Sequence, residues 1–322
     1  MHKGIVVGFL LSHSLLIAQS AAGSGYVAPA PVSVAPGQIA TFYLPGVVST
    51  AAAAAGILSV TLQQTGANVP APIQSLRSIS LCPDNTATAQ PACGSLLAVT
   101  VQIPYELVPV CPLCARPVSA VPPLLVFNMS GQSPTAIELN PLADEVHVLK
   151  SCDVALGPAT PAPANLTGLP CAPLVTHAGG SLVSASSPAA VGETLTIWAF
   201  GLGQTSPAAV TGQPAKMAPS QETFNLDFNY QVNALPAKPY TGEPDRVPLA
   251  PLFAGLAPGY VGLYQVNFTV PAQPPNGTPL CTPPGTAAAG ANVAQSNFTV
   301  SIGGQFSFDG AGICVATQIP VD

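Results

Sequence analysis

Gly262-Leu-Tyr-Gln-Val-Asn-Phe-Thr-Val270 alternates apolar and polar residues with period two, and Asn297-Phe-Thr-Val-Ser-Ile302 does the same. Successive side chains of a strand point to opposite faces, so this alternation predicts strands with one buried face. Similar β-type runs occur along the chain: Gln38-Ile-Ala-Thr-Phe-Tyr-Leu44, Ile57-Leu-Ser-Val-Thr-Leu62, Leu96-Leu-Ala-Val-Thr-Val-Gln-Ile103 and Glu193-Thr-Leu-Thr-Ile-Trp-Ala-Phe200. No stretch of comparable quality has helical period. The predicted fold class is all-β.

Two parts of the chain look alike. Val34-Ala-Pro-Gly-Gln-Ile-Ala-Thr-Phe-Tyr-Leu-Pro-Gly46 parallels Ala190-Val-Gly-Glu-Thr-Leu-Thr-Ile-Trp-Ala-Phe-Gly-Leu-Gly203. Each is a Gly turn, a strand and a second Gly-containing turn. Val99-Thr-Val-Gln-Ile-Pro104 parallels Val266-Asn-Phe-Thr-Val-Pro271, a strand closed by a Pro that cannot donate to a ladder. This predicts an internal duplication: two tandem Ig-like β-sandwich domains over residues 24–150 and 176–322, joined by a Pro/Ala/Gly-rich linker over 151–175.

The 322 residues suit two domains of ordinary size. Pro (38) and Gly (29) make up about a fifth of the chain, which fits many short strands joined by tight turns. Charged residues are only 6%, with 13 acids, 7 bases and a net charge of −6. There is no basic cluster to neutralise phosphates, so nucleic acid is excluded as a partner. With so few titratable groups, the melting temperature is expected to be nearly flat between mildly acid and neutral pH.

Residues 1–22 are predicted to be a secretory signal peptide. His2 and Lys3 precede an apolar run from Gly4 to Ile17, broken only by Ser12, His13 and Ser14, and the small residues around Ala18–Ala22 follow. No later apolar segment is long enough to span a bilayer. The expected location is secreted, extracellular or cell-surface, with the periplasm as a further compartment. Eight Cys follow the signal, an even count that reads as disulfides in an oxidising compartment. Connectivity cannot be deduced from sequence. Neighbour pairing, the simplest choice, gives Cys82–Cys93, Cys111–Cys114, Cys152–Cys171 and Cys281–Cys314, the third stapling the linker.

Two stretches, Thr176–Gly203 and Ala254-Gly-Leu-Ala-Pro-Gly-Tyr-Val-Gly-Leu-Tyr-Gln-Val-Asn-Phe-Thr-Val-Pro271, carry a resemblance. Together they resemble the C-terminal module of secreted Solibacter-type acidobacterial proteins, which is similar to IPT/TIG-type Ig-like domains. The resemblance covers about residues 176–310 and implies an extracytoplasmic sandwich. It implies no catalytic residues.

The chemistry-bearing residues are sparse. Beyond the signal only His147 and His177 remain. Serine-hydrolase chemistry needs one of them beside a serine and an acid, and no Gly-x-Ser-x-Gly turn frames Ser181, Ser186 or Ser187. Structural hydrogen bonds are the expected role of both His. A metal set of His147, His177, Asp144 and Glu145 is the competing one. Cys111-Pro-Leu-Cys114 has redox spacing but lacks a helical context, so it reads as a small disulfide loop. Five Asn-x-Ser/Thr sequons, at Asn128, Asn165, Asn267, Asn276 and Asn297, are chance matches if the source is bacterial. Pro258-Gly259 predicts a type II turn, with Tyr260 starting the next strand. Turn plus core strand is the main expectation there. Tyr260 and Tyr264 as an exposed aromatic ligand face is the other.

No catalytic, cofactor or metal residue is therefore assigned, and the chain is expected not to be an enzyme. The expected role is adhesion, matrix or scaffolding, with a surface protein, polysaccharide or peptide as partner. The alternative is a pair of carbohydrate- or peptide-binding modules. An unrecognised extracellular hydrolase is the third reading, and it would need a polar site containing His147 or His177.

Overall fold

A computed structural model of the protein describes residues 31–45, 56–80, 95–109, 121–154, 172–239, 249–271, 277–281 and 296–317. The fold is all-β. Among the described residues, apart from a single helical turn at Ser151–Val154, the elements are strands in four sheets around two separate hydrophobic cores. The signal segment 1–22 lies outside the described residues.

The first half contains β1 (Val32–Val34), β2 (Ile39–Pro45), β3 (Leu58–Gln64), β4 (Ala67–Pro70), β5 (Ile73–Ser80), β6 (Ser95–Gln102), β7 (Leu124–Met129) and β8 (Thr135–Pro141). They form two sheets, ordered β1-β8-β7-β3-β4 and β2-β6-β5. Phe42, Leu97, Val99 and Val101 of the smaller sheet share one core with Leu62, Leu125, Phe127 and Ile137 of the larger. The Phe42 and Phe127 rings meet at 5.6 Å, within the range of favourable tilted pairs. The arrangement is sandwich-like: each sheet hides its apolar face against the other.

The second half contains β9 (His147–Val148), β10 (Val175–His177), β11 (Thr194–Phe200), β12 (Ala218–Pro219), β13 (Asn225–Asn229), β14 (Phe253–Leu256), β15 (Tyr264–Thr269), β16 (Phe298–Gly303) and β17 (Phe308–Ile313). One sheet runs β10-β11-β15-β14-β12, with β9 also paired to β11; the other is β13-β16-β17. Tyr264, Val266 and Phe268 of β15 point into the core, while Gln265 and Asn267 are half-buried and Thr269 is exposed. The predicted alternation holds there. On β16 the alternation is hidden, because all six residues are buried. Its polar face is covered by the segment after β13. Thr299 Oγ1 donates to the Ala234 carbonyl at 2.9 Å, and Ser301 Oγ accepts the Ala237 N–H at 3.0 Å. A polar side chain can be buried when it is hydrogen-bonded.

The two halves repeat several moves. Gly37 (φ +77°) and Gly192 (φ +78°) each turn the chain two residues before a strand, β2 or β11. Each of these strands pairs antiparallel with the Pro-terminated strand, β6 or β15. Each half also contains a parallel contact, between β1 and β8 in the first and between Ala189 and Val315, just after β17, in the second.

Two expectations need correction. The domain boundary does not fall at residue 150: β9 pairs with β11, and Val146 and Val148 belong to the second core. The chain crosses over after β8. The strand at the Pro258-Gly259 turn starts at Tyr264 rather than Tyr260, because Gly262 (φ +64°) interrupts any extended run before it. The turn itself is as expected, with Gly259 at φ +85°.

Cys281 and Cys314 form a disulfide with a Cα–Cα distance of 5.5 Å, matching the neighbour pairing. The pairings Cys82–Cys93, Cys111–Cys114 and Cys152–Cys171 rest on groups outside the described residues and side chains, as do residues 155–171 of the linker. The described ends of that linker are joined, by an antiparallel bridge between Lys150 and Pro173.

Candidate functional site: an aromatic cleft between the halves

The strand β11 creates the site. Leu195, Ile197 and Ala199 point into the second core, so Trp198 and Phe200 fall on the opposite face. Leu149 and Leu174 flank them from the two chain segments along the outer side of β11, where Leu174 N–H donates to the Leu149 carbonyl at 2.7 Å. The Gly259–Leu263 turn forms a second wall, with Tyr260 58% exposed at its rim. The first half closes the cleft with Ile39 and Gln74. Gln74 reaches it because the register of β5 on β6 slips between Ile73 and Ser75. Such a bulge re-aims a side chain out of the regular alternation.

The cavity measures about 590 Å³, and among the described residues no charged one lines it. Trp198 is held by an Nε1–H hydrogen bond to Thr176 Oγ1 at 3.2 Å. Gly262 is required where the walls meet. A Cβ there would stand 2.6 Å from the Gly37 carbonyl oxygen and 2.8 Å from the Ile39 side chain, so the two halves approach backbone to backbone.

Tyr264 is not part of this surface, which corrects its pairing with Tyr260 as a ligand face. It is fully buried and donates to the Gly203 carbonyl at 2.5 Å, with the Tyr105 hydroxyl 3.4 Å away. Burial raises its pKa far above the ordinary tyrosine value.

The two histidines occupy separate networks. His147 is buried, with Nε2 2.9 Å from Asp153 Oδ2 and Nδ1 3.4 Å from Asp309 Oδ2. Burial by itself would lower its pKa, but hydrogen bonds and attraction from Asp153 and Asp309 raise it above the ordinary value. Burial, then the Asp144 charge, push Glu145 up to about 6, with His147 opposing. Asp144 is fully buried and accepts from the backbone N–H groups of Gln305 (2.8 Å), Phe306 (3.1 Å) and Ser307 (2.8 Å). The His147, Asp144, Glu145 and His177 set is thus not gathered into one site; Asp144, Asp153 and Asp309 each accept backbone N–H groups.

His177 lies at the end of β10. Its Nδ1 is 2.6 Å from Glu193 Oε1, and its Nε2 is 3.2 Å from both the hydroxyl and the carbonyl of Ser187. Burial would raise the Glu193 pKa, but the Ala190 N–H and His177 bring it below the ordinary value. Sequence motifs single out neither Ser187, which lacks a Gly-x-Ser-x-Gly frame, nor Glu193. They stand 10 and 16 residues from His177, and no local motif links them. Only the hairpin return onto β10 brings them together. No family model, curated protein or solved structure matches the chain, so its functional reading rests on this geometry.

Proposed function

We propose that the chain is an exported pair of Ig-like β-sandwiches that acts by binding, in adhesion, matrix or scaffolding, and that the cleft between its halves takes an apolar segment of a peptide or protein partner. The signal-like N-terminus, the even Cys count and the resemblance of residues 176–310 to a secreted Ig-like module support export and the fold type. Two separate cores with repeated strand moves support the tandem arrangement.

The observation that carries the binding reading is the cleft of about 590 Å³ walled by Trp198, Phe200 and Tyr260. Its volume is in the range of small-ligand sites, roughly 300–1,000 Å³. Aromatic rings supply large contact area at little entropic cost, which is why they dominate binding hot spots. The rings would also suit a sugar face. A sugar, however, needs several polar side chains around its hydroxyls, and the described residues of the lining offer one amide, Gln74. An apolar peptide segment fits the uncharged wall better than a polysaccharide.

The test is calorimetric titration of the full chain with capped apolar peptides and with soluble glycans, repeated on Tyr260→Ser and Phe200→Ser. Peptide binding weakened by both substitutions is expected. Glycan binding without peptide binding, or peptide binding that ignores both substitutions, would discard the proposal.

A further inference from the structure

We infer that Ser187, His177 and Glu193 form an accessible nucleophile relay that hydrolyses small carboxylic esters. This activity is separate from the cleft and departs from the expected absence of catalysis.

The three side chains stand in the order acyl transfer requires. Glu193 Oε1 accepts from His177 Nδ1 at 2.6 Å, which fixes the neutral ring as the Nδ1–H tautomer. Nε2 then holds its lone pair 3.2 Å from Ser187 Oγ, where it can take the hydroxyl proton. Glu193 is itself oriented, since its Oε2 accepts the Ala190 N–H at 2.9 Å. Ser187 is placed by a tight turn in which its N–H donates to the Ser184 carbonyl and to Ser184 Oγ, both at 3.1 Å. The Ser187 carbonyl, 3.2 Å from Nε2, gives the imidazolium an acceptor once the proton has moved.

Access is open. Ser186 and Pro188 on either side of Ser187 are exposed. Gly179 and Gly180 in the neighbouring loop have free space where a Cβ would sit. An open loop of this kind suits short acyl groups, not long chains that depend on a deep pocket.

In the reaction, Ser187 Oγ attacks the acyl carbon and its proton passes to His177 Nε2. The ester C–O bond breaks, and the alcohol leaves with that proton. Water then adds to the acyl-Ser187 ester by the same route, releasing the carboxylic acid and restoring the hydroxyl. The balance is ester plus water to acid plus alcohol, with no change of oxidation state.

The experiment uses the full chain with p-nitrophenyl acetate as substrate and a fluorophosphonate as covalent probe, read by intact mass and peptide mapping. One phosphonyl group on Ser187 is expected. Ser187→Ala, nearly isosteric and checked for folding by circular dichroism, should lose both labelling and hydrolysis, whereas Ser186→Ala should keep them. His177→Gln should slow hydrolysis by about a hundredfold or more, the range general-base catalysis supplies. Glu193→Gln should lower kcat with KM unchanged, as expected of a positioning residue. No adduct on Ser187, hydrolysis undiminished in Ser187→Ala, or rates indifferent to both His177→Gln and Glu193→Gln would each overturn the inference.

Discussion

The hydroxyl of Tyr264, in the centre of the second core, lies 3.4 Å from the hydroxyl of Tyr105, which the first half sends across the junction. Tyr105 is counted among the residues of the second core although it follows β6 of the first half. Its backbone is held there too: its N–H donates to Thr211 Oγ1 at 2.9 Å, and its carbonyl accepts from Gln204 Nε2. Gly37 leaves the space that the Tyr105 ring fills, because a Cβ at Gly37 would overlap that ring. The halves are therefore joined by a packed and hydrogen-bonded residue.

Tyr105→Ala should remove this joint. Loss of a large buried aromatic side chain typically costs about 3–5 kcal/mol. Calorimetry should show one cooperative melting transition for the native chain and two for the variant. Tyr264→Phe tests a narrower point. It leaves the Gly203 carbonyl without its donor and should cost about 1–3 kcal/mol while keeping a single transition.

The pH dependence should slope, not lie flat as the charge count suggests. Glu145 and His147 both have pKa values raised by folding, Glu145 from 4.5 to about 6 and His147 above 6.5. A raised folded-state pKa means stability that is complete below the unfolded value and lost as pH rises through the folded one. Asp309 and Glu193 are lowered, so their contribution is lost only in more acid solution, below their ordinary values of 3.8 and 4.5. Melting temperature should therefore be highest near pH 5 and fall toward pH 8. His147→Gln should flatten the part of the fall above about pH 6.5. Circular dichroism melts across that range check both statements.

Replacing Cys281 and Cys314 together by Ser should destabilise the second half by about 3–4 kcal/mol, since the bridge closes a separation of 33 residues. Asn297→Ala should act on the same corner. The Asn297 side chain is fully buried, donates to the Pro279 and Val315 carbonyls and accepts the Val315 N–H. Denaturant titration of both variants measures the losses. The same burial keeps the Asn297 sequon from serving as a glycan acceptor in the folded chain.

A fragment of residues 142–322 should fold more stably than one of residues 176–322. The shorter piece lacks β9, Val146 and Val148 of the core, and the contact of His147 with Asp309. Thermal melts of the two fragments, each made in an oxidising compartment, should differ by several degrees in favour of the longer one.

Much of the fold was legible because strand alternation is a local property. The buried positions of β15 follow from period two, and the Gly turns before β2 and β11 follow from residue type. What stayed hidden depends on distant partners. Strand parity places Tyr260 and Tyr264 on one face, but Gly262 at φ +64° breaks the strand between them, leaving one exposed and the other buried. The two residues of β9 are too few to show a period, so the crossing point between halves was misplaced. Thr299 and Ser301 read as solvent-facing, since nothing local announces that the 234–237 backbone will cover them. The cleft needs Ile39 and Gln74 from one half beside Trp198 from the other, a juxtaposition with no sequence signature.

The most direct measurement of the binding account uses Trp198, the single tryptophan of the chain, which lies in the cleft wall. Its emission should be followed while a capped apolar peptide that binds by calorimetry is titrated into the full chain. The account predicts a saturable blue shift as the peptide displaces water from the ring, with the calorimetric affinity, and weaker binding by this signal in Tyr260→Ser. Emission that stays unchanged while calorimetry records binding would place the partner elsewhere on the molecule and contradict the account.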